Sequence, residues 1–134
     1  MLSPQLVKTI MEMGHGDEIV IADGNFPCHT ISQNVIRADA LSGRELLHAL
    51  LELFPLDNYS THQVFLMEVV QGDHYKPDIW DDYKAILHDS GEPCTICYLE
   101  RFAFYERAKK SYAVVATGEE ALYANIILKK GVVK

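Results

Sequence analysis

A histidine between two glycines is the residue whose type and setting point most directly to chemistry. His15 lies in the segment Gly14-His15-Gly16-Asp17. Imidazole titrates near pH ~6.5, so it can both donate and accept a proton at neutral pH. The flanking glycines let the backbone turn sharply and leave the ring uncovered. We therefore predict an acid/base role for His15, against the ordinary alternative of a surface histidine in a loop.

Polar side chains of several types stand next to the predicted strands. Asp23 closes the first strand, where the alternative is an Asx turn that merely ends it. Arg101 and Tyr105 follow a later strand, and Tyr123 and Asn125 precede the last one. Acid, base, guanidinium, phenol and amide groups together suit a polyhydroxylated ligand. The residues alone thus indicate a site for a sugar or another polar metabolite.

Motifs for cofactor and metal chemistry are not found. Gly14 and Gly16 lack the third glycine of a dinucleotide fingerprint, and neither a Walker phosphate loop nor a G-x-S-x-G segment occurs. Cys94 and Cys97 form a C-x-x-C pair, but Cys97 falls inside a predicted strand, whereas a redox cysteine normally opens a helix. The histidines show no metal-binding spacing. We predict neither a metal nor a cofactor.

Length, charge and cysteine usage limit the classes of partner. The chain has 134 residues, of which 49% are hydrophobic, as expected for one domain over residues 1–134. A net charge of −7 argues against nucleic acid as a partner. No apolar stretch is long enough to span a bilayer, and no secretion signal is visible. Three cysteines do not form a disulfide framework, so we expect a cytoplasmic protein without membrane or nucleic-acid partners.

Helices and apolar strands alternate along most of the chain. Helical spacing predicts helices over residues 4–13, 42–54, 77–90 and 102–110. Short apolar runs predict strands over residues 18–22, 64–70, 95–100, 112–117 and 125–128. This alternation is typical of an α/β fold, here a single three-layer domain with helices on both faces of a mainly parallel sheet. Ligands of such sheets bind beyond the carboxyl ends of the strands, and Asp23, Arg101 and Thr117 fall just past three of them.

The segments around these polar residues also form a set of short motifs, which follow one another in a defined order along the chain. They are Gly14-His-Gly-Asp-Glu-Ile-Val-Ile-Ala-Asp23, Asn25-Phe-Pro27, Ile36-Arg-Ala-Asp39, Arg101-Phe-Ala-Phe-Tyr-Glu-Arg-Ala108 and Tyr123-Ala-Asn-Ile-Ile-Leu-Lys-Lys-Gly131. In these motifs the chain resembles the L-fucose mutarotase and D-ribose pyranase family over essentially its whole length. The ribose branch generally has a different segment, beginning with histidine, around position 101. The resemblance therefore favours the fucose branch.

The resemblance implies an enzyme that opens and recloses a monosaccharide ring without metal or coenzyme. It implies His15 as the catalytic acid. The positions that it implies for sugar contacts are Asp23, Asp57, Arg101, Tyr105, Tyr123 and Asn125. Members of the family form ring-like decamers with sites at subunit boundaries, so we expect a homo-oligomer. The stretch from Gln71 to Pro93 carries no motif.

Interconversion of anomers removes a proton from the C1 hydroxyl and adds one to the ring oxygen. We hypothesise that His15 exchanges one of these protons, with Asp17 or Asp23 orienting its ring, and that Tyr105 or Tyr123 is the second proton-transfer group. Three alternatives remain. One is a D-ribose pyranase-type activity, and another is a sugar-binding accessory protein that does not catalyse anomer exchange. The third is an enzyme of another kind that acts on a polar metabolite, which the absence of a phosphate loop disfavours.

Overall fold

Helices and strands alternate along residues 2–133, which are the residues that the computed structural model describes. In chain order the elements are α1 (Pro4–Glu12), β1 (Glu18–Ala22), α2 (Cys28–Ile31), β2 (Val35–Ala38), α3 (Gly43–Leu51), β3 (Val64–Met67), α4 (Asp78–Ser90), β4 (Ile96–Leu99), α5 (Arg101–Lys109), β5 (Ala113–Thr117) and β6 (Ile126–Lys129). None of the helices in this part of the chain has the length and apolar character needed to cross a lipid bilayer.

The six strands form one sheet in the order β2-β5-β1-β6-β3-β4. Strand β1 is parallel to β5, β5 is parallel to β2, and β3 is parallel to β4. Strand β6 is antiparallel to both of its neighbours, β1 and β3. Five strands therefore point the same way, with one reversed strand in the middle. The prediction of a mainly parallel sheet is confirmed.

Helices cover both faces of the sheet, as predicted. Helices α1, α3 and α4 pack on one face, where the buried residues include Ile19 and Ile21 of β1. Helices α2 and α5 pack on the other face, against the alternate residues Val20 and Ala22. Because β1 is covered on both sides, all of its apolar side chains are buried.

Two of the helix starts follow the signals in the sequence. Ser3 accepts a hydrogen bond from the Leu6 amide at 3.2 Å, with Pro4 as the first residue of α1. At the start of α3, Ser42 and Glu45 each accept from the other residue's backbone N–H, which is the predicted capping box.

The elements differ from the prediction at three places. The strand predicted over 64–70 ends at Met67, because its pairing with β6 ends at Leu66 and its pairing with β4 ends at Met67. The helix predicted over 42–54 ends at Leu51, shortly before Pro55, which disfavours helical backbone at the residue that precedes it. Helix α2 and strand β2 were not predicted, because α2 is a single turn and β2 includes the polar Arg37, so neither forms a continuous apolar or helical pattern.

Candidate functional site

A cavity lies at the edge of the sheet where the carboxyl ends of the parallel strands meet. Its volume is about 270 Å³, close to the lower end of ordinary small-molecule clefts. Five residues that the sequence analysis selected line this cavity: Asp23, Arg101, Tyr105, Tyr123 and Asn125. They come from the ends of β1 and β4 and from the loop before β6, as the strand-end rule predicts. Thr117, the third strand-end residue, instead donates its hydroxyl to the Ala22 carbonyl at 2.7 Å.

Asp23 is a buried carboxylate at the base of the cavity, with 5% of its surface exposed. Its Oδ1 accepts a hydrogen bond from the Asn25 amide at 3.0 Å, so the Asx turn is present as well. Burial raises the pKa of Asp23 above its ordinary value, and the backbone N–H groups of Asn25, Ala124 and Phe26 oppose this rise only in part. The hydrogen bonds of the chain thus compensate the burial of the charge only in part, and the carboxyl group lines the cavity, where a ligand could donate to it.

Asn125 is fixed next to Asp23. Its Oδ1 accepts the backbone N–H of Asp23 at 2.7 Å. This bond commits the oxygen of the amide, so the NH₂ group is the part that remains available to a ligand. Asp23 and Asn125 thus present an acceptor and a donor side by side.

Arg101 and Tyr105 form the opposite wall, one helical turn apart on α5. The Nε of Arg101 donates to the Tyr105 hydroxyl at 3.3 Å, and its guanidinium lies 5.5 Å from the ring centres of both Tyr105 and Phe102. The Tyr105 ring meets the Phe26 ring edge to face at 5.5 Å. These aromatic contacts hold the guanidinium at the mouth of the cavity and leave its remaining N–H groups free to donate.

The loop that carries Tyr123 and Asn125 is held from behind by α4. The indole N–H of Trp80 donates to the Tyr123 carbonyl at 2.9 Å, and the buried Tyr83 hydroxyl donates to the Ala124 carbonyl at 2.7 Å. Tyr123 has φ of +57°, the left-handed region that L-residues rarely adopt outside glycine. Such backbone persists where surrounding contacts determine it, and it is concentrated at functional sites.

Several cavity residues were missed by the sequence analysis. Met67, Val70 and Asp73 line the cavity from the end of β3, and Leu122 lines it from the loop before β6. Asp73 lies in the stretch without a motif, but it follows a predicted strand by three residues. The same strand-end rule that selected Asp23 could have found it.

His15 lies at the opposite edge of the sheet, and it is paired with Asp57. Its Nε2 is 3.0 Å from Oδ1 of Asp57, while 46% of the side chain is exposed. The Tyr59 ring lies 5.4 Å from the imidazole. A strongly bound carboxylate thus orients an accessible imidazole.

Asp57 is saturated with hydrogen bonds from its own chain. Besides His15, its oxygens accept the Tyr59 amide at 3.0 Å and the Ser60 hydroxyl at 2.5 Å, and the side chain is 2% exposed. Desolvation acts to raise the pKa of Asp57, but the bonds from Ser60, Tyr59 and His15 outweigh it and lower the pKa to about 2. Asp57 is thus the hydrogen-bond partner of the histidine in this chain, and its contact with a sugar stays a prediction.

Within one chain, the ring of His15 is hydrogen-bonded to Asp57 and not, as predicted, to Asp17 or Asp23. Asp17 accepts the Gly14 amide at 2.8 Å and so closes the turn, in which Gly16 has φ of +90°. Asp23 lies at the far end of β1, whose five residues span roughly 16 Å at about 3.3 Å per residue. His15 and Asp57 are therefore not brought to the cavity by their own chain.

Other candidate groups are engaged elsewhere or are not arranged for metal binding. Arg107, which follows the same strand as Arg101, donates twice to Glu18 at 2.8 and 2.6 Å and covers the Phe65 ring at 3.6 Å. Cys97 lies within β4, as predicted. Between residues 2 and 133, no group of three or more His, Cys, Asp or Glu side chains is placed to hold a metal ion.

Comparison with known proteins gives relatives over nearly the whole chain. The RbsD / FucU transport protein family matches residues 1–133. An L-fucose mutarotase of Haemophilus influenzae is 51% identical over 132 residues, which cover 98% of this chain and 92% of the relative. The structure of a fucose mutarotase in complex with L-fucose from Streptococcus pneumoniae has a TM-score of 0.95 and 53% identity, over 98% of this chain and 94% of that one. Bacillus subtilis RbsD complexed with D-ribose has a TM-score of 0.74 and 25% identity, over 100% and 96% of the two chains.

Proposed function

Because the chain belongs to the RbsD / FucU family, we propose that it is a mutarotase that interconverts the α and β anomers of L-fucose. The observation that carries this proposal is the cavity in which Asp23, Asn125 and Arg101 present hydroxyl-binding groups at the carboxyl edge of the sheet. Identity to the L-fucose-bound structure is 53%, against 25% to the D-ribose-bound one, which favours fucose over ribose.

The reaction consists of proton transfers. The C1 hydroxyl loses its proton, the bond between C1 and the ring oxygen breaks, and the ring oxygen gains a proton. After rotation about the C1–C2 bond, the ring closes on the other face of C1. A positioned acid or base contributes about 10²–10⁴-fold to such a step. No hydride moves and no C–H bond breaks, so side chains of these types suffice for the chemistry.

The cavity residues have different roles, according to which of their hydrogen-bonding groups are available to a ligand. Asp23 accepts from sugar hydroxyls, because its carboxylate lines the cavity and its burial is compensated only in part by the backbone. Asn125 donates through its NH₂, since its oxygen is committed to the Asp23 amide. Arg101 donates from the opposite wall. A pyranose held between these groups presents its ring oxygen and C1 hydroxyl to the open mouth of the cavity.

His15 supplies the proton-transfer group at that mouth. Asp57 is an acceptor only, because its pKa of about 2 keeps it ionised. The imidazole therefore donates its Nε2 proton to Asp57, which leaves Nδ1 to exchange a proton with the sugar. This bond fixes both the tautomer and the direction of the ring.

A neighbouring copy of the chain completes the site in this proposal. His15 and the cavity lie at opposite edges of one sheet, so the histidine of one copy can reach the cavity of the next in a head-to-tail ring. Exposed aromatic side chains accompany both edges, with Tyr59 75% exposed beside His15 and Phe102 65% exposed beside Arg101. The ring that we expect is a decamer. With its three cysteines free, we expect the protein in the reducing cytoplasm.

NMR exchange spectroscopy between the α and β signals of the sugar tests the activity directly. We expect the wild-type protein to accelerate exchange of L-fucose more than that of D-ribose or D-galactose. His15→Asn should lower the accelerated rate by about 10²–10⁴-fold. The matched control His48→Asn changes an exposed histidine on α3 and should retain the wild-type rate.

Each alternative has its own outcome in this experiment. Exchange faster on D-ribose than on L-fucose would support pyranase-type activity. Binding of L-fucose without faster exchange would make the protein a sugar-binding accessory protein. Undiminished exchange by His15→Asn would remove this histidine from the mechanism. Sedimentation at several protein concentrations tests the ring, and a monomer that is fully active would contradict completion by a second copy.

A further inference from the structure

The hydrogen bonds of Tyr123 assign it a partner that the sequence motifs do not include. We propose that Tyr123 is the second proton-transfer group of the cavity and that Asp73 is its positioning residue, which receives the phenol proton when the C1 hydroxyl of the sugar yields its own. This inference rests on the proposed mutarotase function and identifies the group that exchanges the proton of the C1 hydroxyl while His15 exchanges that of the ring oxygen.

The phenol of Tyr123 has its proton committed. A tyrosine hydroxyl offers one proton and two lone pairs. The hydroxyl donates to Oδ2 of Asp73 at 3.1 Å and accepts the Val70 amide at 3.3 Å. One lone pair remains, and Tyr123 lines the cavity. Toward a bound sugar the phenol oxygen is therefore an acceptor.

Tyr105, the other candidate, has the opposite arrangement. Its hydroxyl accepts from Nε of Arg101 at 3.3 Å. Its own hydroxyl proton is not given to a carboxylate in the part of the chain that the structure describes. Tyr105 can therefore donate to a sugar oxygen. Of the two tyrosines, only Tyr123 is hydrogen-bonded to a carboxylate that can accept its proton, that of Asp73.

Asp73 is held in place independently of the phenol. Its Oδ1 accepts the Tyr75 amide at 2.9 Å, and its own amide donates to the Val70 carbonyl at 3.0 Å. Gly72, with φ of +90°, allows this tight turn. The Tyr75 ring stacks on the Tyr123 ring at 6.0 Å with 26° between the planes. The turn thus presents Oδ2 to the phenol and fixes the plane of the tyrosine ring.

The proton transfers balance with these groups. On ring opening, the C1 hydroxyl proton passes to the Tyr123 oxygen while the phenol proton passes to Asp73. The electron pair of the bond between C1 and the ring oxygen moves to the ring oxygen, which takes a proton from the imidazolium of His15. Ring closure reverses each step on the other face of C1, so that both Asp73 and His15 return to their starting states.

Four variants test the pair by steady-state exchange of L-fucose at several sugar concentrations. In Asp73→Asn the amide oxygen can still accept the Tyr75 amide, but an NH₂ group faces the phenol. We expect kcat to fall by about 10²-fold, with little change in KM, because the sugar-binding groups are intact. Tyr123→Phe should lower kcat to a similar extent. In the Tyr123→Phe protein, adding Asp73→Asn should have no further effect. Asp89→Asn, which removes an exposed carboxylate near the end of α4, should leave kcat unchanged.

Rescue by a small carboxylate separates proton transfer from support of the loop. Asp73 is exposed, so formate can enter the space left in Asp73→Ala and should restore part of kcat. An Asp73→Asn protein with wild-type kcat, or effects of the two substitutions that simply add, would overturn the proposal. A wild-type protein without exchange activity would overturn the mutarotase function itself, which distinguishes the two failures.

Discussion

Two buried aspartates at opposite ends of β1 have contrasting surroundings. Asp57, at the histidine end, accepts three hydrogen bonds from side chains and backbone of its own chain, and its pKa is lowered to about 2. Asp23, at the cavity end, is also buried, but its pKa is raised by that burial. At Asp57 the hydrogen bonds of the chain outweigh the cost of burial, and the carboxylate holds another side chain of the protein. At Asp23 the backbone hydrogen bonds do not outweigh that cost, so the buried charge is costly to the fold until a ligand donates to it.

Strand β6 joins the two ends. Its antiparallel direction places Asn125, before its first residue, beside Asp23 in the cavity. At its other end, the Asp57 amide donates to the Lys129 carbonyl at 3.1 Å, and the Gly16 amide donates to the Lys130 carbonyl at 2.9 Å. The reversed strand therefore supports both the polar groups of the cavity and the loop of His15.

The largest expected effect on activity in this comparison comes from Asp23→Asn. The substitution keeps the shape of the side chain but removes the charge that accepts from sugar hydroxyls, so we expect exchange of L-fucose to fall about 10²-fold. Because the raised pKa of Asp23 reflects a burial cost, the melting temperature should stay equal or rise. Exchange NMR and thermal unfolding measure the two effects, and a clear loss of stability would show that the hydrogen bonds to the Asp23 carboxylate outweigh the cost of its burial.

Asp57→Asn should change stability in the opposite direction. The substitution replaces charge-assisted hydrogen bonds to Ser60, Tyr59 and His15, and the free energy of unfolding should fall by about 1.5–3 kcal/mol. We expect exchange to fall about tenfold, less than for Asp23→Asn, because the imidazole remains but is less well oriented. Urea unfolding of Asp23→Asn and Asp57→Asn measures whether the free energy of unfolding changes in opposite directions in the two variants. Equal destabilisation of both variants would contradict the difference that we infer between the surroundings of Asp23 and Asp57.

The two carboxyl groups also predict how stability depends on pH. The folded pKa of Asp57 lies below its unfolded value of about 4, so its contribution is fully present above pH 4 and is lost as the pH falls toward 2. For Asp23 the sign is reversed, since its folded pKa lies above the unfolded value and protonation favours the folded state. Asp57→Asn should therefore flatten the acid limb of the stability curve, which chemical unfolding between pH 2 and 5 measures. An unchanged acid limb would contradict the lowered pKa.

The smallest effect is expected behind the cavity, from Tyr83→Phe. The buried hydroxyl donates to the Ala124 carbonyl, and without it this carbonyl loses its partner. We expect a loss of about 1 kcal/mol in the free energy of unfolding and a higher KM for L-fucose, with kcat little changed. Tyr112→Phe, at an exposed tyrosine, is the matched control. A changed kcat with unchanged KM would show that α4 does more than hold the loop.

Most of the cavity could be predicted from the sequence because its residues stand at the ends of strong apolar runs. Asp23, Arg101 and Asn125 followed or preceded recognisable strands, and parallel strands end at one edge. Parallel strands also begin at one edge, and His15 precedes the start of β1. His15 therefore lies at the edge opposite the cavity. Within its own chain, His15 is hydrogen-bonded to Asp57 rather than to the predicted Asp17 or Asp23.

The partner of His15 could not be predicted by spacing. Asp57 is 42 residues away in the chain and reaches the imidazole only because the end of β6 binds the backbone of both loops. The strand-end rule could have selected Asp73 as a cavity residue, but its pairing could not be predicted. That pairing depends on a hydrogen bond to Tyr123, 50 residues further on.

Co-expression of two inactive variants tests most directly whether the two ends of β1 work together across copies of the chain. A His15→Asn chain retains its cavity, and an Asp23→Asn chain retains its histidine. In a head-to-tail ring assembled from equal amounts of both, about a quarter of the sites combine an intact histidine with an intact cavity. We predict that the mixed protein regains about that fraction of wild-type L-fucose exchange. Mixed assemblies as inactive as the two parents would contradict a site shared between neighbouring chains.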